Sequence, residues 1–410
     1  MRPKQKLLVL TPRFPYPVVG GDRLRIYFVC KHLAKKFDIT LLSLCESREE
    51  MEFVVPNDGI FSRVERVLLP IFRSRLNCLA ALFSGESLQV AYYHSAKFLA
   101  RARELAADHD VILAHLVRTG PYVLNIDMRN KISVLEMTDA ISMNYSRVKR
   151  LGQVAGLRNV IYSFEQRRLR EVELALAGRF DLTVLVSEVD RQYLIDEATS
   201  LREKIIVCSN GVDTNDIEYN YAPDGKTMVF IGNMTSLQNL DAVKWFVREI
   251  MPKVLIHGDY QLKIIGRIRD SDRNYFNNIK NVFATGEVNS VADAAQGATI
   301  GICSVRMAAG IQNKILECMA LGVPVITTRI GYEGLAAIEN EDVLVVNSAE
   351  EYVQSIISLF NSKELCESLS HRGRRYVESN HSWEAKLLTL ENAIEQVSQK
   401  MNCNFRSRSG

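Results

Sequence analysis

The chain has 410 residues, 47% of them hydrophobic and 24% charged, and carries a formal net charge of +3. That length supports two domains of ordinary size, each with its own core. The near balance of charge excludes a dedicated nucleic-acid binder, which would show a concentrated basic stripe. No apolar run reaches the length of a spanning helix. The eight cysteines have no paired spacing, so a reduced, cytoplasmic setting without a metal cluster is expected.

Residues 7–11 form the first expected strand, followed by a proline-containing loop with Gly20-Gly21. Residues 23–36 place Leu24, Tyr27, Phe28 and Leu33 on one face of a helix, and 38–44 form a second strand. Strand, glycine loop, helix and strand open a doubly wound sheet. Further strands are expected at 64–69, at 111–114 ending at His115, and at 132–135 ending near Glu136 and Asp139. Helical stretches are expected at 76–105 and 139–177. A strand at 182–186 precedes Ser187, a helix N-cap candidate, and 205–207 is the last strand of this half.

A second cycle follows the turn Asn210-Gly211-Val212-Asp213 and the polar stretch 216–226, read as a linker. Strands at 228–231, 262–265 and 282–285 are closed by Gly232, Gly266 and Gly286. Helices are expected at 239–254 and 292–298, with a strand at 299–303. Another strand at 343–346 is followed by helices at 349–360, 363–379 and 383–400. The domains are then 1–215 and 227–380, with a helix at 381–400 returning to the first domain and a disordered tail at 401–410.

Residues 306–328 are the most informative stretch. They read as strand end, loop through Gly310, helix from Gln312, glycine stop at Gly322 and a strand at 323–326. A loop entering a helix N-terminus beyond a parallel strand is an anion site. Arg306 and Lys314 flank it, and Glu317 lies one turn in, where a carboxylate accepts from a diol. His115 stands at a strand end where ligands meet such sheets, or is a structural histidine. Asp139 reads as a helix cap. The strand-end glycines are turn punctuation or permit close approach of a ligand. No complete GxGxxG follows the first strand, so a nicotinamide dinucleotide site is not supported. The basic segment 147–170 is a solvated face, or a patch for anionic lipid head groups or a lipid-linked pyrophosphate. The stretch 71–75 joins such a patch, unless its apolar residues are core.

These residues resemble family 4 glycosyltransferases of the GT-B superfamily, the branch that assembles exported polysaccharides. The resemblance lies in Gly310-Ile-Gln-Asn-Lys-Ile-Leu-Glu317 and its continuation to Thr328, in Asn210-Gly-Val-Asp213, and in Phe230 to Ala242 followed by Trp245-Phe246. Thr285-Gly-Glu-Val288 and Arg13-Phe-Pro-Tyr-Pro17 through Gly20-Gly-Asp-Arg23 also fit. It implies an α/β, GT-B fold of two Rossmann-like doubly wound domains facing across a cleft. It implies sugar transfer with retention, without metal or cofactor, from a nucleotide-diphosphate sugar. The acceptor would be a hydroxyl of a glycan or lipid-linked molecule, in capsule or exopolysaccharide synthesis at the inner membrane face. Donor binding would fall to Gly20, Gly21, Gly232, Gly266, Arg267, Gly310, Ile311, Gln312 and Glu317, with His115, Arg306 and Lys314 catalytic.

The sequence departs from that pattern where a second glutamate is usual, at Ala309. It departs again at Asn233 and Gln238, which stand where an arginine and a lysine neutralise the diphosphate. Arg306, Lys314 and Arg267 are the candidate replacements. The alternative readings are a nucleotide-sugar 2-epimerase and a catalytically degenerate GT-B binding protein.

Overall fold

The computed structural model describes residues 4–18, 21–150, 157–196, 198–212, 217, 219–288, 290–307 and 311–406, with only the backbone at 148–150, 157–161 and 402–406. The chain divides into two compact units, Met1–Ser209 with Leu387–Gly410, and Asn210–Lys386.

The first unit is built on seven parallel strands: β1 (Gln5–Thr11), β2 (Phe37–Cys45), β3 (Arg63–Leu68), β4 (Val111–His115), β5 (Ile132–Thr138), β6 (Leu182–Leu185) and β7 (Ile205–Val207), in the order β3-β2-β1-β4-β5-β6-β7. Leu7, Leu8, Val9 and Leu10 are consecutive and fully buried, as expected of a strand covered on both faces. The strand order reverses beside β1 and β4, so the carboxyl end of β4 is a topological switch point. His115 is its last residue.

The second unit repeats the plan with β8 (Thr227–Ile231), β9 (Gln261–Ile265), β10 (Val282–Gly286), β11 (Ile300–Cys303), β12 (Val325–Thr328) and β13 (Leu344–Val346), ordered β10-β9-β8-β11-β12-β13 and also parallel. After helix Asn313–Ala320, Gly322 at φ 81° donates to Met319 O at 3.0 Å and Val323 N to Cys318 O at 2.8 Å. This Schellman closure holds the chain until Pro324, so β12 starts two residues later than the apolar run suggests.

Several expected elements are corrected. The helix Gly21–Leu33 buries Arg25, Ile26, Val29, Cys30 and Leu33, not Leu24, Tyr27 and Phe28, because a buried arginine disguises the inward face. Residues 76–105 are not one helix. Ile71–Ser84 ends at left-handed Gly85, and Ala96–Ala106 restarts on Ser95, whose hydroxyl accepts from Phe98 N. The helix expected at 239–254 is Leu237–Trp245, a π-helical turn Phe246–Ile250 and Met251–Val254. Pro252 has no N–H and its ring crowds the preceding turn, which widens there. The final helix runs Trp383–Arg406, beyond the expected end.

Candidate functional site

In the first unit the site is assembled on β4 and β5, where His115 and Glu136 are register partners. His115 Nδ1 lies 2.6 Å from Glu136 Oε2. Arg25 Nε donates to Glu136 Oε1 at 2.6 Å and its Nη2 to Cys208 O at 2.9 Å. All three side chains are buried. Burial raises the Glu136 pKa, but Arg25 and then His115 outweigh it and hold it at about 2. Glu136 is therefore an anion that only accepts, so Nδ1 of His115 carries a proton and donates it to this contact. The Nε2 of His115 is buried with no hydrogen-bond partner among the described residues. Leu116 at φ 64° and Thr138 at φ 66° mark strained backbone beside the pair.

Asp22, in the first turn of helix Gly21–Leu33, is 3.6 Å from Arg13 Nη1. Burial raises its pKa, but Arg13, His115 and Arg118 together bring it below the usual range. Arg118 donates to Gln89 Oε1 at 3.1 Å and stacks on Tyr93, whose hydroxyl accepts from Arg13 at 3.1 Å. Asp139 is not the expected cap: Ala140 N donates to Asp190 Oδ1 at 2.9 Å instead. Burial and then Asp190 raise the Asp139 pKa well above the carboxylate range.

In the second unit Gly232 and Gly266 lie at the ends of β8 and β9. Gly266 has φ 128°, and a Cβ there would fall 2.1 Å from Gly232 O. Gly232 N donates to Ile265 O at 2.9 Å and Met234 N to Arg267 O at 2.7 Å. Gly266 is thus required by backbone crossing backbone. Asn233 Oδ1 accepts from Thr235 N at 3.0 Å and holds the turn that follows.

Helix Asn313–Ala320 starts after Gln312, which offers no side-chain cap, so the first N–H groups lack intrahelical acceptors. Lys314 Nζ donates to Gln312 Oε1 at 2.9 Å and lies over Phe230 at 5.8 Å. Glu317 is partly buried. Burial raises its pKa, Lys314 partly opposing, and its carboxylate has no hydrogen-bond partner among the described residues. Arg306 is held by Asp241 at 3.1 and 2.7 Å and lies over Trp245. Arg267 is exposed, and its guanidinium has no partner among the described residues. Ile311 is buried, Gly21 begins the helix that carries Arg25, and Gly20, Ala309 and Gly310 lie outside the described residues.

The turn at Asn210 is structural. Asn210 Nδ2 donates to Asn313 Oδ1 at 2.8 Å, Val212 N donates to His381 O at 2.6 Å, and a Cβ on Gly211 would lie 2.7 Å from the Trp383 backbone. Sequence reasoning missed Arg25, and its only local signal is a charge at an inward helical position. Much of the basic segment 147–170 lies outside the described residues or has only its backbone described.

Two Rossmann-like parallel sheets of this kind define the GT-B fold. Residues 225–362, about a third of the chain, match the family described as glycosyl transferases group 1. The chain is 18% identical over 390 residues to an uncharacterized 44.6 kDa protein in the cps region of Klebsiella pneumoniae, covering 92% of this chain and 96% of that one. Sucrose-phosphate synthase from Thermosynechococcus elongatus has the same fold at a TM-score of 0.73 and 15% identity, covering 96% and 99% of the two chains. Anabaena HepE in complex with UDP superposes at 0.67 and 13% identity, covering 96% and 100%.

Proposed function

We propose that the protein is a family 4 glycosyltransferase of the polysaccharide-assembly branch, moving a sugar with retention from a nucleotide-diphosphate donor to a hydroxyl of a glycan or lipid-linked acceptor. The observation that carries this reading is Glu317: a carboxylate with no hydrogen-bond partner among the described residues, one turn into a helix and inside the matched domain. A partly buried acceptor without a donor is satisfied when a ligand supplies one, and a ribose diol supplies two. The relative from a cps region supports a role in capsule synthesis, and the complex of HepE with UDP-glucose makes a uridine nucleotide the first donor to try.

In this reading the N–H groups at the start of helix Asn313–Ala320 and the exposed guanidinium of Arg267 take the diphosphate. Charge builds on the leaving phosphate as the glycosidic bond breaks, and preorganised donors and a cation lower that barrier. The acceptor hydroxyl attacks from the face the phosphate leaves, and the phosphate takes its proton. His115 Nε2 takes a hydrogen bond with a sugar hydroxyl, its Nδ1 being held by Glu136. Arg306 and Lys314 act after exchanging Asp241 and Gln312 for the ligand.

Calorimetric titration of the full chain with UDP, UDP-glucose and other nucleotide sugars tests this. Glu317→Gln should weaken the bound member by about tenfold or more, the loss of charge-assisted bonds. Unchanged affinity removes Glu317 from the site, and no binding to any member favours the degenerate binding protein.

A further inference from the structure

Helix Ile71–Ser84 is turned inside out. Its inward side is small or polar: Ser74 and Ala81 are buried. Asn77 Nδ2 donates to His94 O at 3.0 Å, and the Cys78 thiol donates to Leu88 O at 3.7 Å. Its large apolar residues face water instead, Phe72 at 63% exposed, Leu76 at 58%, Leu79 at 57% and Phe83 at 92%. Their spacing puts them on one stripe along the helix, with Ile71 and Leu82 exposed at its sides. No domain core explains such a helix, because burying it as it stands would put the stripe in and the small residues out.

The stripe has basic company. Arg73 and Arg75 are exposed on the same helix, which has no acidic residue. Arg168, from helix Leu157–Arg179, donates to Ala81 O and Glu86 O at 3.4 Å. It lies 5.9 Å from the ring of Phe164, which is 60% exposed. Apolar and aromatic side chains flanked by arginines match the headgroup boundary of an anionic bilayer, where rings and aliphatic chains sink below the charged layer and guanidinium groups stay in it. A second copy fits less well, since a two-fold contact would bring Arg73, Arg75 and Arg168 against their own duplicates. Among the described residues no helix is long and apolar enough to cross a membrane, so this contact lies in the interface.

We propose that the face formed by Phe72, Leu76, Leu79 and Phe83 with Arg73, Arg75 and Arg168 seats the first unit on an anionic lipid surface. The surface shares no residue with the donor site, and the proposal stands or falls separately from that reading. The test is co-sedimentation of the full chain with phosphatidylcholine vesicles with and without phosphatidylglycerol. The chain should follow the anionic vesicles and stay in solution with the neutral ones. The variant Leu76→Ser/Leu79→Ser/Phe83→Ser should bind them about tenfold or more weakly. Arg73→Glu/Arg75→Glu should lose binding to the anionic vesicles, and both variants should keep the nucleotide affinity of the parent. A parent chain that ignores anionic vesicles, or binding untouched by either variant, overturns the proposal. So does a concentration-dependent dimer that the serine variant dissolves without any vesicle binding, which would assign the stripe to a second copy.

Discussion

Glu136 performs two tasks at once. It neutralises Arg25, a guanidinium only 1% exposed, and it fixes which nitrogen of His115 carries the proton. The two tasks separate by substitution. Glu136→Ala leaves a buried cation without its counter-charge and should destabilise the first unit by about 3–5 kcal/mol, measured by peptide-resolved hydrogen exchange. Glu136→Gln keeps the shape, but its amide can donate to Nδ1 and turn the ring to the opposite tautomer. On the proposed reaction this positioning change should lower kcat by about 10–100-fold and leave the affinity for UDP, which lacks the sugar, unmoved. A parallel loss of UDP affinity, or an unchanged kcat, would sink the role assigned to His115.

Among the elements, the crossing of the β8 and β9 ends makes the strongest demand on sequence. Gly266→Ala puts a methyl 2.1 Å from Gly232 O at a φ of 128°. It should destabilise the second unit by about 2–4 kcal/mol. Gly297→Ala is the comparison: at φ 83°, with nothing nearer than 3.9 Å, it should cost only the left-handed backbone penalty, about 1–2 kcal/mol. Equal losses of peptide-resolved exchange protection in the two variants would show that crowding at Gly266 is relieved by backbone shift.

Such elements differ in how well the chain announces them. The parallel strands were legible because doubly covered strands are continuous apolar runs, as at Leu7 to Leu10. The strand-end position of His115 was legible for the same reason. Arg25 was not, because its partner is 111 positions away and a charge on the inward face breaks the apolar period. The clamp of Asp241 on Arg306, across 65 positions, leaves no local trace either. Helix Ile71–Ser84 was ambiguous rather than silent: the apolar residues at its start read as part of a surface patch or as core, and the structure turns them outward.

At the scale of the molecule, the two units meet acid differently. In the second, His381 Nδ1 faces Asn210 O at 3.3 Å and Nε2 faces the Tyr376 hydroxyl at 2.8 Å. Tyr376 accepts from Ala336 N at 3.0 Å and donates its own proton to Nε2, so the ring is held neutral. Burial, and then Lys386, lower its pKa from 6.5 to about 4. A lowered histidine contributes stability that is fully present above its unfolded value and is lost as pH falls. His381 should therefore cost the second unit about 3 kcal/mol between pH 6.5 and about 4. In the first unit burial pushes Glu173 up to about 7 from 4.5. A raised carboxyl contributes stability present below 4.5 and lost as pH rises through 7, so mild acid favours this group. His109, lowered by burial, opposes it in part. Hydrogen exchange resolved by peptide can follow the units separately, as one unfolding midpoint for two units cannot. Peptides of the second unit should lose protection on acidification well before those of the first, and His381→Gln, which keeps a donor and an acceptor, should remove most of that loss. Parallel loss in both units, or an undiminished loss in His381→Gln, would mean that other groups govern the acid response.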